Sequence, residues 1–359
     1  MKSSHFLAAA IALLTTGCVF DSSTSESGTN QPAASGRKLF AMGQLYSDAG
    51  GTGALDRVDS DSAFATGLKT WPSSDIVLGS DSTGLYAIER TNSVVTRYDS
   101  GDLSRRTFQV NVGDGANPYA VAPLGGKVWV ACYGSGFLKA IDPVAGKLVD
   151  SIDLSAYSDK ADSQTIPFAV DVHAFGSKLA VTLGRLNGWK AGDSSLVVVV
   201  DPNSKQVEKR IALPWKNAYG VAWNGNQALV SCVGAWSTLD GGIVCVDLQA
   251  GTARKAVSEQ DLGGDAVRAE FGPAGKFFAG VSDPTTYNVA VHVVDLGTGA
   301  LGAKISGSTD VGALAWDGTG LWMGDMSKTA PRVIRVDLAG NVVWSHATTL
   351  PAGSMALVP

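Results

Sequence analysis

A short apolar run ending in aspartate recurs along this chain, and it limits the possible folds more than any other feature. The marks are Val58-Asp59, Tyr98-Asp99, Ile141-Asp142, Val200-Asp201, Val246-Asp247, Val294-Asp295 and Val336-Asp337. Successive aspartates stand 40, 43, 59, 46, 48 and 42 residues apart. A repeat near 45 residues is the signature of four-stranded blades set radially around an axis. Turn formers follow several marks, as in Asp142-Pro143-Val144-Ala145-Gly146. Aspartate at a turn start hydrogen-bonds its own backbone two residues on. Seven separate turns cannot converge on one ion, so these aspartates read as turn formers and no metal is assigned to them. Two further apolar runs precede each mark after the first, for example residues 119–122 and 127–132. Each unit thus reads as strands a, b, c and d, counted outward from the axis.

The ends complete the pattern. The first unit, from about Lys38, has runs for b, c and d but none for a, while residues 354–359 supply a lone strand. The expected fold is therefore all-β: a seven-bladed β-propeller with four-stranded blades, closed by the C-terminal strand in the first blade. Closure protects the sheet edges. The long spacing of 59 is taken up by insertions at 154–167 and 184–194. Composition agrees, since only 17% of residues are charged and 43 are glycine, which favours strands and tight turns over helices. A net charge of −5 argues against a nucleic-acid partner, which would meet a basic face.

The N-terminus reads as an address. Lys2 precedes the apolar run Phe6 to Leu14, which is too short to span a bilayer and has the form of a cleaved signal. The residues before Cys18 resemble a bacterial lipobox, with Thr15 where the family usually has leucine. The resemblance implies that Cys18 is acylated and becomes the mature N-terminus. Val19 after it favours the outer membrane over the inner. Residues 1–17 are thus read as a lipoprotein-type signal peptide, 18–36 as the lipidated cysteine with a flexible Ser-rich tether, and 37–359 as the propeller.

The stretch Val128-Trp129-Val130-Ala131-Cys132-Tyr133-Gly134, followed by Leu138-Lys139-Ala140-Ile141-Asp142-Pro143, resembles the YVTN-type (YncE-like) β-propeller repeat. Leu196 to Val207 repeats its second half, and Pro118-Tyr119-Ala120-Val121 and Ala218-Tyr219-Gly220-Val221 resemble its inner strand. The b strand departs from the family, with Ala131-Cys132 and Ser231-Cys232 in place of Thr-Asn. The resemblance implies the propeller fold and a cell-envelope setting; similar lipoprotein propellers include captors of corrinoids or siderophores beside outer-membrane transporters, and some similar propellers are lyases or lactonases. No binding residue carries over by motif.

In a propeller the b-to-c and d-to-a loops share one face, around the channel mouth. Ligand-binding candidates there are Trp71, Glu89, Arg90, Tyr133, Arg185, Trp189, Trp215, Trp236, Tyr287 and Lys328. Loop tryptophans stack on planar or sugar rings and anchor interfaces, or clamp one blade to the next. Trp189 lies in an inserted loop with Arg185, and Trp236 in the equivalent loop of the next blade. Mouth-loop carboxylates Asp159, Asp162, Asp283 and Asp325 read as turn formers before calcium ligands. On the inner strands small residues dominate, and Asp171, Arg268 and Glu270 break that pattern. Charges there pair across the channel or meet a polar group of a ligand. Cys232 and Cys245, on adjacent b and c strands, are expected to face each other and form a cross-strand disulfide, leaving Cys132 as a buried thiol. No GxSxG, HExxH or P-loop occurs. The chain is accordingly expected to be a binding protein and not an enzyme, with no cofactor. It would be lipid-anchored in the cell envelope and capture a small molecule or glycan at the mouth, with an outer-membrane transporter or envelope protein as partner. A protein-interaction scaffold is the alternative, and a propeller lyase or lactonase a third.

Overall fold

The computed structural model describes residues 38–46, 51–60, 63–305 and 307–358. The signal, Cys18 and the tether lie outside the described residues. Seven four-stranded antiparallel sheets form seven blades. Their inner strands are, in blade order, Ala352–Val358, Ile76–Ser80, Pro118–Leu124, Ala169–Phe175, Ala218–Asn224, Asp265–Phe271 and Val311–Trp316. Each touches the inner strand of the next blade, which closes a ring around an axis.

Burial follows position in the blade. A b strand such as Lys127–Cys132 is covered on both faces and reads as an unbroken apolar run, whereas the outer strand Arg106–Asn111 alternates exposed and buried residues. The cores lie between blades. Trp129, Leu138 and Ile152 of blade 3 pack with Val172, Val181 and Val198 of blade 4. A fully buried side chain of this size contributes roughly 1.5–3 kcal/mol.

The repeated aspartates from Asp99 onward do what their position predicts, each accepting an amide of its own turn, whereas Asp59 takes Arg57 Nε at 3.0 Å. Asp142 Oδ1 accepts from the amides of Val144 and Ala145 at 2.8 and 2.9 Å, and Asp295 Oδ1 from Gly297 and Thr298 at 3.0 and 2.8 Å.

Closure is by the C-terminal strand. Ala352–Val358 runs antiparallel to Lys38–Leu45, with Phe40 opposite Ala356. Asp56, fully buried in the c strand of blade 1, adds a stitch: it accepts from Gly67 N at 2.6 Å and from Thr349 N and Oγ1, both at 2.8 Å. The opposite ends of the chain are thereby held in one sheet.

The expected Cys232–Cys245 disulfide is not formed. The b strand ends at Cys232, opposite Gly242, and Cys245 sits opposite Leu229. That offset of three residues is about 10 Å along the strand, and an odd offset also sends the two side chains to opposite faces of the sheet. Cys232 accordingly packs in the core between blades 4 and 5, Cys245 in that between blades 5 and 6. Cys132 and Cys232 are buried free thiols.

Candidate functional site

The mouth is built by a repeated irregularity. In six blades the inner strand slips one residue against strand b near its start, leaving Tyr119, Val170, Tyr219, Val267, Gly312 and Gly353 outside the ladder. Blade 2 pairs without a slip. A β-bulge re-aims the side chain it carries. Five of these residues (Tyr119, Val170, Tyr219, Gly312 and Gly353) line a cavity of about 380 Å³ on the axis. So do Asp171, Gly220, Arg268, Ala313 and Ser354, each the first residue past its bulge. Gln44, Tyr46, Arg90 and Met326 complete the polar and adaptable part of the wall.

Rings and one guanidinium organise the rim. Arg90 bonds the Asp75 carboxylate through Nε at 2.7 Å and lies over the Tyr119 ring at 4.6 Å. Tyr119 stacks on Tyr133, centroids 4.4 Å apart, and Tyr133 meets Phe168 edge-on at 5.0 Å. Phe168 then meets Trp189 at 6.4 Å. On blade 5, Tyr219 meets Trp236 at 5.3 Å and 87°. Trp189 is 83% exposed and Trp236 46%, so both rings are largely free to meet a partner. Burial raises the Tyr119 hydroxyl above the usual tyrosine range and, against the opposing Arg90 charge, keeps it a neutral donor.

Of the ten loop candidates, Arg90 alone lines the cavity. Tyr133, Trp189 and Trp236 join it through the ring contacts. Trp71, 7% exposed, packs on Tyr98 in the core, and Trp215, 9% exposed, lies beside Gly242 and beneath Lys255, where it lines a separate cavity of about 320 Å³. Glu89 is buried and accepts from Asn92 at 3.0 Å, which holds its own loop. Arg185 turns inward, donating to the carbonyls of Tyr157, Ser158 and Ser194 and pairing with Asp193 at 2.9 Å, so it staples the two insertions together. Tyr287 and Lys328 are exposed on their loops and outside the cavity. Asp159, Asp162, Asp283 and Asp325 each accept backbone amides of their own turns. Among the described residues no cluster of three or more His, Cys, Asp or Glu is placed to hold a metal.

The three inner-strand charges do not pair with one another. Asp171 accepts from Trp223 Nε1 at 2.8 Å, and burial pushes its carboxyl up to about 7 against that bond. Among the described residues Arg268 has neither a hydrogen bond nor an ion pair, and its Nε is buried without an acceptor. Glu270 lies at the other end of the inner strands, in a second cavity of about 610 Å³ with Trp223 and Trp316. Burial raises it to about 8. Sequence reading missed Tyr46, Tyr119 and Tyr219 as wall residues. The signal was present in Asn117-Pro118-Tyr119 and Asn217-Ala218-Tyr219, where an asparagine with positive φ (47° and 54°) leads into the bulge.

No protein-family model matches the chain, and no curated protein sequence matches it. The YVTN-type resemblance is therefore carried by the repeat residues alone. Solved structures do match, and what they share is the fold. A 6-phosphogluconolactonase-like protein of Bacteroides fragilis superposes with a TM-score of 0.61 at 14% identity, covering 93% of this chain and 100% of that one. A similar protein of Bacteroides uniformis gives 0.61 at 16%, covering 90% and 100%. Apo AztD from Citrobacter koseri gives 0.55 at 15%, covering 90% and 98%.

Proposed function

We propose that this chain is a lipid-anchored binding propeller of the cell envelope, held at the outer membrane through Cys18, that takes a small ligand into its mouth cavity. One observation carries the reading: a cavity of about 380 Å³ on the axis whose wall combines tyrosine rings with a guanidinium that has no partner among the described residues. Small-molecule sites have this size and this mix of apolar rings and a few polar groups. The lipobox-like start and the Ser-rich tether support the anchor, which would let the domain stand off the membrane. The rim rings Trp189 and Trp236 extend the site outward, where a glycan or the edge of a larger ligand would stack. Catalysis is not part of the reading, because the lactonase-like neighbours share a fold at 14–16% identity and bring no residue correspondence.

A second reading, docking to an envelope protein or transporter, is favoured by the exposure of Trp189, which touches only the edge of Phe168 among the described rings. The test is calorimetric titration of the full chain with oligosaccharides, corrinoids, siderophores and small anions, with Trp189→Ala and Trp236→Ala beside the wild type. Ligand stacking predicts an affinity loss of about 1–3 kcal/mol per ring at unchanged Tm. A chain that binds none of the panel but retains one envelope protein through Trp189 favours the docking reading. Fractionation of Cys18→Ser tests the anchor: release into the soluble fraction supports it, and unchanged membrane retention removes it.

A further inference from the structure

Arg268 is a residue of the mouth whose charge is left open. A guanidinium does not lose its proton in a protein, so burial cannot neutralise it as it can a carboxyl. A buried charge left unpaired is costly, and native structures supply it with a partner. Arg268 is half-buried and opens on the cavity; its Nε is buried with no acceptor, and no ion pair is made among the described residues. Asp310 attracts Arg268 only at longer range and is turned to the amide of Val289 at 3.3 Å. Asp171 lines the same cavity but is bonded to Trp223, and Arg90, already paired with Asp75, adds repulsion.

The surroundings are shaped for this side chain. Gly280 faces Arg268 across the ladder, and a Cβ there would come within 2.9 Å of the arginine Cβ. Gly220, at the same place in the preceding blade, leaves the flank open, since a Cβ on it would meet the Val267 carbonyl at 2.9 Å. The same cavity is lined by the hydroxyl-bearing Tyr46, Tyr119 and Tyr219, the last on the neighbouring inner strand and close enough to favour the Arg268 charge.

We propose that Arg268 receives an oxyanion, a carboxylate or phosphate group of the captured ligand, inside the mouth cavity. The inference rests on the mouth being the binding site and names the chemistry taken there. The guanidinium fork matches both oxyanions, binding two oxygens at once, and a compensating negative charge is what the site lacks.

The test is calorimetric and thermal titration of the full chain with inorganic phosphate, succinate and neutral maltotriose, in wild type, Arg268→Gln and Arg268→Lys. Phosphate or succinate should bind the wild type and raise its Tm, and the preferred one identifies the oxyanion. Affinity should fall at least tenfold in Arg268→Gln and less in Arg268→Lys, which keeps the charge but not the fork. Without anion, the Tm of Arg268→Gln should equal or exceed that of the wild type, because an uncompensated charge has been removed. Should the glutamine variant fold poorly, the wild-type and lysine titrations decide alone. Anion affinity equal in wild type and Arg268→Gln, or absent from the wild type, overturns the inference. If maltotriose binds while the anions do not, the mouth remains a binding site and only the oxyanion is lost. If none of the three binds, the oxyanion inference falls, and the panel titration with the rim variants then decides separately whether the mouth binds anything.

Discussion

Asp171 of blade 4 accepts a hydrogen bond from the indole of Trp223 in blade 5, at 2.8 Å. His173, two residues on, lies flat against the same indole, with ring centroids 4.5 Å apart and planes 7° apart. Blades 4 and 5 are thus joined at the axis by polar and ring contacts together. The corresponding places in blades 6 and 7, counted from each bulge, hold Arg268, Glu270 and Trp316. There no side-chain bond forms among the three. One junction is satisfied within the chain, and the other presents two ionisable residues to two cavities.

Trp223→Phe keeps the ring against His173 and removes the donor. The bond to Trp223 lowers the Asp171 carboxyl against burial, so its loss should move that carboxyl above 7, read by carbon NMR of the labelled carboxyl. Stability at pH 8 should drop by about 1–3 kcal/mol, the cost of leaving a buried acceptor unpaired, and by less at pH 5, where the acid is neutral. A carboxyl that titrates unchanged or lower would contradict the assignment.

Glu270 should make stability fall with rising pH. Burial raises its carboxyl to about 8 in the folded chain, against about 4.3 when unfolded. Its contribution is complete below the unfolded value and is lost as pH climbs through 8. Glu270→Gln cannot ionise. Its Tm should match the wild type near pH 4 and exceed it progressively up to about pH 9. A gap that does not change with pH would show that Glu270 is ionised in the fold.

Closure should depend on Asp56. Replacing it by alanine strands two amides and the Thr349 hydroxyl. We expect a loss of about 2–4 kcal/mol in denaturant unfolding, several buried donors at 1–3 kcal/mol each with partial relaxation. Deleting residues 352–358 should go further and abolish cooperative unfolding. Full cooperativity after the deletion would mean that the ring does not need its closing strand.

Cys132 and Cys232 should resist thiol reagents in the folded chain. Burial pushes the Cys132 thiol up to about 12 and the Cys232 thiol higher, so neither offers a thiolate at neutral pH. Mass spectrometry after maleimide treatment should find both unlabelled natively and labelled in denaturant. Native labelling of either would contradict their burial.

Architecture was legible because each blade repeats the same local rule. An aspartate that bonds its own turn ends the c strands of blades 2 to 7, and apolar runs that must be buried on both faces mark every b strand. The lone strand at 354–359 could be assigned to blade 1 for the same reason. The site was less legible because exposure is decided by neighbours in other blades. Trp71 and Trp189 look alike as loop tryptophans, yet Tyr98 covers the first, and among the described rings Phe168 alone meets the second. Arg185 looked like a ligand fork until the two insertions met around it. Cys232 and Cys245 flank one b-to-c hairpin, but they would face each other only if it centred near Leu239, whereas the ladder centres at Ser237. The bulges that carry Tyr119 and Tyr219 into the mouth are one-residue slips, and a slip leaves little trace in composition or period.

The claim of a ligand-binding mouth is met most directly by a crystal structure of the full chain after exposure to small molecules from native envelope extract. The account predicts ordered non-protein density in the axial cavity, within hydrogen-bond distance of the Arg268 guanidinium and in contact with the Tyr219 or Tyr119 ring. A cavity holding water alone at high resolution, with bound density elsewhere or nowhere, would contradict it.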